Sequence, residues 1–188
     1  MLPRLMHRRS ALAGLAAALV AGVTTRVRPA QADSADTTTF SPEEILAAGQ
    51  EFFGQTTAGV ANMVEYVFQK AGRPNAYIVG EEGAGAFVGG LRYGQGTLIT
   101  KSGQRQKVYW QGPSIGFDFG GNGSRVMVLA YGLSNPGDLY NRFVGVDGSA
   151  YVVGGLGVNF QQYKSIKLAP IRTGVGARFG VNAGYLKY

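Results

Sequence analysis

Gly116-Phe117-Asp118-Phe119-Gly120-Gly121-Asn122-Gly123-Ser124-Arg125-Val126-Met127-Val128-Leu129 is the stretch on which the fold turns. Its glycine-rich centre has the look of a phosphate-cradling loop, which would make the chain a nucleotide-binding α/β protein. No lysine follows Gly123, however, and Val126-Met127-Val128-Leu129 reads as strand, not as the helix whose N-terminus would hold a phosphate. Asn122-Gly123 is instead a hairpin signal between one strand at Ser114 to Phe119 and another at Arg125 to Tyr131.

Outward from this hairpin the same texture continues. Short runs of β-branched and aromatic residues alternate with turn pairs at Ser102-Gly103, Pro136-Gly137 and Asp147-Gly148. Further strands are expected at Ala76 to Val79, Gly85 to Tyr93, Gly96 to Lys101, Gln106 to Gln111, Ala150 to Gly155, Gly157 to Tyr163, Lys167 to Ile171 and Val175 to Tyr185. One short helix is expected at Gly137 to Phe143. Towards the N-terminus, Ser41-Pro42-Glu43-Glu44 supplies a capping serine, a proline at the first helical position and a capping-box glutamate. A second helix is expected from Thr56 or Thr57, with Val60, Met63, Val64, Val67 and Phe68 on one face and Gly72 and Pro74 stopping it. The fold class is mainly β (α+β): two helices within residues 41–73, then a small antiparallel β-barrel over 76–188 that leaves no exposed sheet edge.

Within the β region a five-residue pattern recurs: Gly90-Leu91-Arg92-Tyr93-Gly94, Gly116-Phe117-Asp118-Phe119-Gly120, Gly157-Val158-Asn159-Phe160-Gln161 and Gly176-Ala177-Arg178-Phe179-Gly180. Strand side chains alternate, so the large residues are expected to fill the barrel, with the glycines and polar residues on the opposite face. The glycines then serve either curvature or the close approach of a ligand.

The first 32 residues read as an export signal. Arg4, Arg8 and Arg9 precede an apolar run from Ala11 to Val23, and Ala30-Gln31-Ala32 fits a signal-peptidase site. That run is too short for the ~20 residues of a membrane-spanning helix. Residues 33–40 are a polar lead-in, so the mature domain is expected at 41–188, in the periplasm. Cleavage near Ala32 also changes the charge. The full chain has 18 Lys+Arg against 11 Asp+Glu, but five of the bases and none of the acids lie in the leader, which leaves 13 against 11, a net charge of +2. A nucleic-acid partner is therefore not expected. The sole histidine, His7, leaves with the leader and there is no cysteine. Ser-His or Cys-His catalysis, thiolate or imidazole zinc sites, haem ligation and disulfides drop out together, and no cofactor is expected.

The remaining candidates are few. Glu81-Glu82 could form a carboxylate pair, although neighbours on an extended chain point to opposite faces, and a solvated loop is the competing reading. Trp110 belongs either to the core or to a stacking groove with Phe117 and Phe119. Arg92, Asp118 and Arg178 share the polar face of three repeat copies, as an ion-pair cluster or an anion-binding patch. Gly94-Gln95-Gly96 and Gly154-Gly155-Leu156-Gly157 are weak as dinucleotide fingerprints, and no Ser-x-x-Lys motif is present.

Longer strings carry more specific information. Glu43-Glu44-Ile45-Leu46, Phe52-Phe53-Gly54, Gly72-Arg73-Pro74-Asn75, Trp110-Gln111-Gly112-Pro113-Ser114-Ile115-Gly116, Gly145-Val146-Asp147-Gly148-Ser149-Ala150-Tyr151 and Leu168-Ala169-Pro170-Ile171-Arg172, with the stretch quoted at the outset, resemble the bacterial envelope integrity protein A family from about Phe40 to the C-terminus. The resemblance implies a periplasmic β-barrel needed for an intact envelope and linked to the outer-membrane polysaccharide layer. It brings no established activity and no catalytic residues. A fainter likeness joins Ser114 to Gly121 and Val126 to Leu129 to SYLF lipid-binding domains. Together these imply a non-enzymatic factor whose partner is an envelope lipid, glycolipid or polysaccharide, or an envelope protein. Its binding residues are expected among Trp110, Phe117, Phe119, Arg92 and Arg178. The competing classes are a glycan-acting enzyme using Glu81, Glu82 or Asp118, and an integral outer-membrane barrel.

Overall fold

The computed structural model describes residues 38–54, 58–85, 91–113, 123–173 and 185–188. Two helices come first, α1 at Pro42–Phe53 and α2 at Ala58–Ala71. The capping box at Ser41 forms as its sequence dictates. The Ser41 hydroxyl accepts from the Glu44 amide at 3.2 Å, and the Glu44 carboxylate accepts from the Ser41 amide at 2.7 Å. Gly54 closes α1 in the left-handed conformation. Phe40, at the end of the polar lead-in, is tied to the body: its amide donates to the Pro74 carbonyl and its ring meets Tyr77 edge-on.

Ten strands follow: β1 Ala76–Gly85, β2 Leu91–Thr100, β3 Arg105–Pro113, β4 Ser124–Tyr131, β5 Arg142–Gly145, β6 Tyr151–Val153, β7 Leu156–Val158, β8 Gln161–Tyr163, β9 Ile166–Thr173 and β10 Tyr185–Lys187. All pairings are antiparallel. The order β4-β1-β2-β3-β10-β5-β8-β9 returns to β4 through the β4–β9 ladder, which closes an eight-stranded barrel. β7 continues β8 along the same edge of β9, pairing with its C-terminal half in the same register, and β6 pairs with β7 beyond it.

Two apolar cores lie on either side of the barrel wall. Inside, Ile78, Leu98, Val108, Val128, Phe143 and Leu168 pack together. Outside, Ile45, Met63, Val64 and Val67 of the helices cover Met127, Leu129, Val158 and Ile171. Strand β4 belongs to both cores, Val126, Val128 and Ala130 facing in and Met127, Leu129 and Tyr131 facing out. This explains its unbroken apolar run: a strand covered on both faces has no polar side to alternate with. Each large apolar side chain buried this way contributes about 1.5–3 kcal/mol.

Three expectations from the sequence are corrected. The strands expected at 85–93 and 96–101 meet across the Gly94-Gln95 gap in a single strand, β2. The helix expected at Gly137 to Phe143 is a single 3-10 turn at Pro136–Leu139, after which β5 begins; Phe143 points into the barrel instead of along a helix face. In both described repeat copies the facing is inverted: in the copy at 157–161, Val158 and Phe160 pack outward under the helices while Asn159 turns inward to Arg172, and the first copy behaves likewise. Leu91 and Tyr93 lie on the outer surface while Arg92 and Gly94 face inward. The cause is Trp110, which fills the interior beside Gly94, and a buried acid that draws Arg92 in. The repeat copies at 116–120 and 176–180 lie outside the described residues.

Candidate functional site

One end of the barrel interior is polar. Glu82 of β1, Gly94 of β2 and Trp110 of β3 occupy one row of the sheet, since Glu82 pairs with Gly94 and Gly94 with Trp110. A Cβ on Gly94 would collide with the Trp110 ring, so glycine is what lets the indole cross the strand between them. The crossing ends in a hydrogen bond, from Trp110 Nε1 to Glu82 Oε2 at 2.9 Å. Two guanidinium groups complete the carboxylate's shell. Arg172 Nε of β9 and Arg92 Nε of β2 reach Glu82 Oε1 at 3.1 and 3.0 Å. Arg172 also donates through Nη1 to Asn159 Oδ1 at 3.1 Å, which fixes the guanidinium from its far side.

Glu82, Arg172, Asn159 and Trp110 are all buried. Burial alone would push the Glu82 carboxyl up. The charges of Arg172 and then Arg92, with the hydrogen bonds from Arg172 and Trp110, overcome it and hold the group below its ordinary value. Glu82 is therefore a fixed carboxylate. Burial pushes the Tyr188 hydroxyl up, and it has no hydrogen-bond partner among the described residues.

Beside this cluster opens a pocket of about 630 Å³. Tyr93, Tyr109, Trp110 and Tyr188 give it aromatic walls, and Gln95, Gln111 and Lys187 give it amide and ammonium groups. Glu81 and Glu82 both touch it from β1, Glu81 exposed and Glu82 buried, as alternation requires. The solvated-loop reading of this pair thus fails for Glu82, which lies inside the barrel.

Of the residues expected to bind, Trp110 and Arg92 meet at Glu82, Trp110 within the core and at the pocket wall. Phe117, Phe119 and Arg178, and with them Asp118, lie outside the described residues. Sequence reasoning missed Arg172, Asn159 and the inward turn of Glu82. A signal existed for two of them: Glu82 has the parity of the inward Ala76 and Ile78, and Arg172 that of Leu168. The other glycine motifs are turns or strand. Gly154 and Gly155, both at positive φ, link β6 to β7, and Gly123 leads directly into β4 with no helix to hold a phosphate. Among the described residues no group of three His, Cys, Asp or Glu could hold a metal ion.

Fold and site together define a small antiparallel β-barrel braced by two external helices, with an arginine-clamped carboxylate at one end beside an aromatic pocket. The chain belongs to the envelope integrity protein A family, whose model matches residues 38–188. It is similar to a β-barrel-like, uncharacterized protein from Brucella abortus known by crystal structure, with 57% sequence identity, 80% of this chain and 93% of that chain covered, and a TM-score of 0.73. No curated protein matches it. The family's name ties the chain to the integrity of the cell envelope.

Proposed function

We propose that the mature chain resides in the periplasm, performs no chemistry, and supports the envelope by binding one of its lipids or glycolipids in the pocket beside Trp110. The observation that carries this reading is the state of Glu82. Its two guanidinium partners and the indole N–H fix it as a carboxylate of low basicity, a poor proton acceptor or donor near neutral pH. Around it, the faces of Tyr93 and Tyr109 beside the amides of Gln95 and Gln111 suit an amphiphile with a polar head. The export reading rests on the leader and the cleavage site at Ala32.

The competing classes fit less well. A glycan hydrolase needs one carboxyl group that keeps its proton as an acid, whereas of the two glutamates at the pocket Glu82 is held ionised by Arg92, Arg172 and Trp110. An integral outer-membrane barrel needs a continuous apolar outer band, whereas the outer apolar face of this one over β4 and β9 is covered by the helices and its β2–β3 face turns Gln95, Arg105, Lys107 and Gln111 outward.

Native mass spectrometry of protein released gently from the periplasm tests the reading. The expected species starts at Asp33 and carries a lipid-sized adduct that is lost in the Tyr93→Ala, Tyr109→Ala double variant. A bare mass for the unaltered protein would overturn it.

A further inference from the structure

We infer that the wall of the barrel formed by β2, β3, β10 and β5, bare among the described residues, is a docking surface for an anionic phospholipid bilayer. The helices cover the outside of the barrel over β4, β9 and β7, and among the described residues nothing covers these four strands, which stand next to one another. Their register draws one row across all four: Tyr93 pairs with Gln111, Gln111 with Lys187, and Lys187 with Arg142. Neighbouring rows add Tyr109, Tyr185 and Lys107.

The chemistry of this wall is one-sided. No Asp or Glu occurs on any of the four strands, which nonetheless carry Lys107, Arg142 and Lys187 outward. The cations are interleaved with tyrosine rings. Lys107 Nζ lies 5.8 Å from the Tyr109 centroid, and the Arg142 guanidinium 4.2 Å from that of Tyr185. Glu81 of the adjoining β1, in the row of Gln95 and Tyr109, is an acid at the edge of this wall, and against it the outward Arg105, Lys107, Arg142 and Lys187 leave the wall with an excess of bases, complementary to an anionic partner. The apolar residues decide which one. Val144 is 58% exposed and Leu91 45% exposed on the same wall, beside Tyr109 at 58% and Tyr93 at 52%. Aliphatic tips and amphipathic tyrosines enter the headgroup boundary of a bilayer, with Lys and Arg at the phosphates. An acidic polysaccharide would use the cations and leave Leu91 and Val144 in water.

This surface goes beyond the pocket reading, though the two are contiguous through Tyr93, Tyr109, Gln111 and Lys187, so a docked pocket would face lipid. Flotation of the mature protein with vesicles tests it. Binding is expected to phosphatidylcholine vesicles that contain phosphatidylglycerol, not to phosphatidylcholine alone, and to weaken as salt is added. Lys107→Glu with Arg142→Glu should weaken it at least about thirtyfold, and Lys107→Glu alone, which leaves the Arg142–Tyr185 stack intact, about tenfold. Lys70→Glu, on the helix side, should leave it unchanged. Equal flotation on both vesicle types, wild-type binding by a folded Lys107→Glu protein, or an equal loss with Lys70→Glu would overturn the proposal. Lys107 and Arg142 do not line the pocket, so the two readings fail separately. Flotation by a protein whose native mass is bare sustains docking and removes the pocket ligand; a lipid-bearing mass without flotation does the reverse.

Discussion

The indole of Trp110 lies against the bare α-carbon of Gly94, in the same row of the sheet, and passes over it to the carboxylate of Glu82. Glycine here is a matter of space: any side chain at position 94 would enter the ring. Gly94→Ala is expected to destabilise the protein by about 1–3 kcal/mol through overpacking. It should also shift tryptophan emission to the red, since Trp110 is the sole tryptophan and is displaced from the core. Urea unfolding followed by fluorescence measures both.

Arg172 is the more deeply buried of the two arginines on Glu82, and it also donates to Asn159. Removing it leaves a buried carboxylate and an amide oxygen short of partners. Arg172→Ala is therefore expected to cost about 3–5 kcal/mol, and Arg92→Ala, whose side chain is partly exposed, less. Chemical denaturation of the two variants should rank them in that order.

The same cluster sets an acid limit. In the folded state Glu82 titrates below its ordinary value of 4.5, so as pH falls the unfolded chain takes up the proton first. The stability that this group contributes is complete above 4.5 and is lost as pH falls through the depressed folded value. Glu82→Gln should flatten the decline of urea midpoint with acidification. Some slope will remain, because Glu44, hydrogen-bonded to Lys101, and Glu43, hydrogen-bonded to Ser41, are also lowered.

At the other end of the chain, Ser41→Ala removes one half of a reciprocal cap on α1. The expected loss is about 1 kcal/mol, with no effect on Trp110 emission. Comparing far-ultraviolet dichroism with fluorescence along the thermal transition checks that the helix end and the barrel interior are separable.

The helices were legible because their signals are local: Ser41-Pro42-Glu43-Glu44 fixes a start, and the spacing from Val60 to Val67 fixes a face. The antiparallel sheet was legible at Ser102-Gly103, which turns β2 into β3, but the hairpin expected at Asn122-Gly123 is not what pairs β4, whose edges are taken by β1 and β9. The site was not legible, because it depends on register. Nothing within Leu91 to Gly94 reveals that Arg92 will be drawn inside, since its acid, Glu82, lies on the neighbouring strand and Trp110 comes from the strand beyond. The rule that bulky residues fill the interior failed at Leu91 and Tyr93 because one indole already occupied that space, and at Val158 and Phe160 because the helices make the outer face apolar as well. Strand β5 was hidden for a related reason: its four residues take their conformation from β8 and β10, not from local propensity.

The two-faced burial of β4 has a cost before folding is complete. Val126-Met127-Val128-Leu129-Ala130-Tyr131 is an uncharged, β-prone hexapeptide without proline, the composition that self-associates into cross-β assemblies when left open. In the native protein it is shielded by β1 on one edge, β9 on the other and a helix layer above, and β9 is contributed by residues 166–173, well downstream. Arg125, at its N-terminal flank, is the nearest charge that can act as a gatekeeper. Until β9 arrives, this protein's most protected strand is its stickiest.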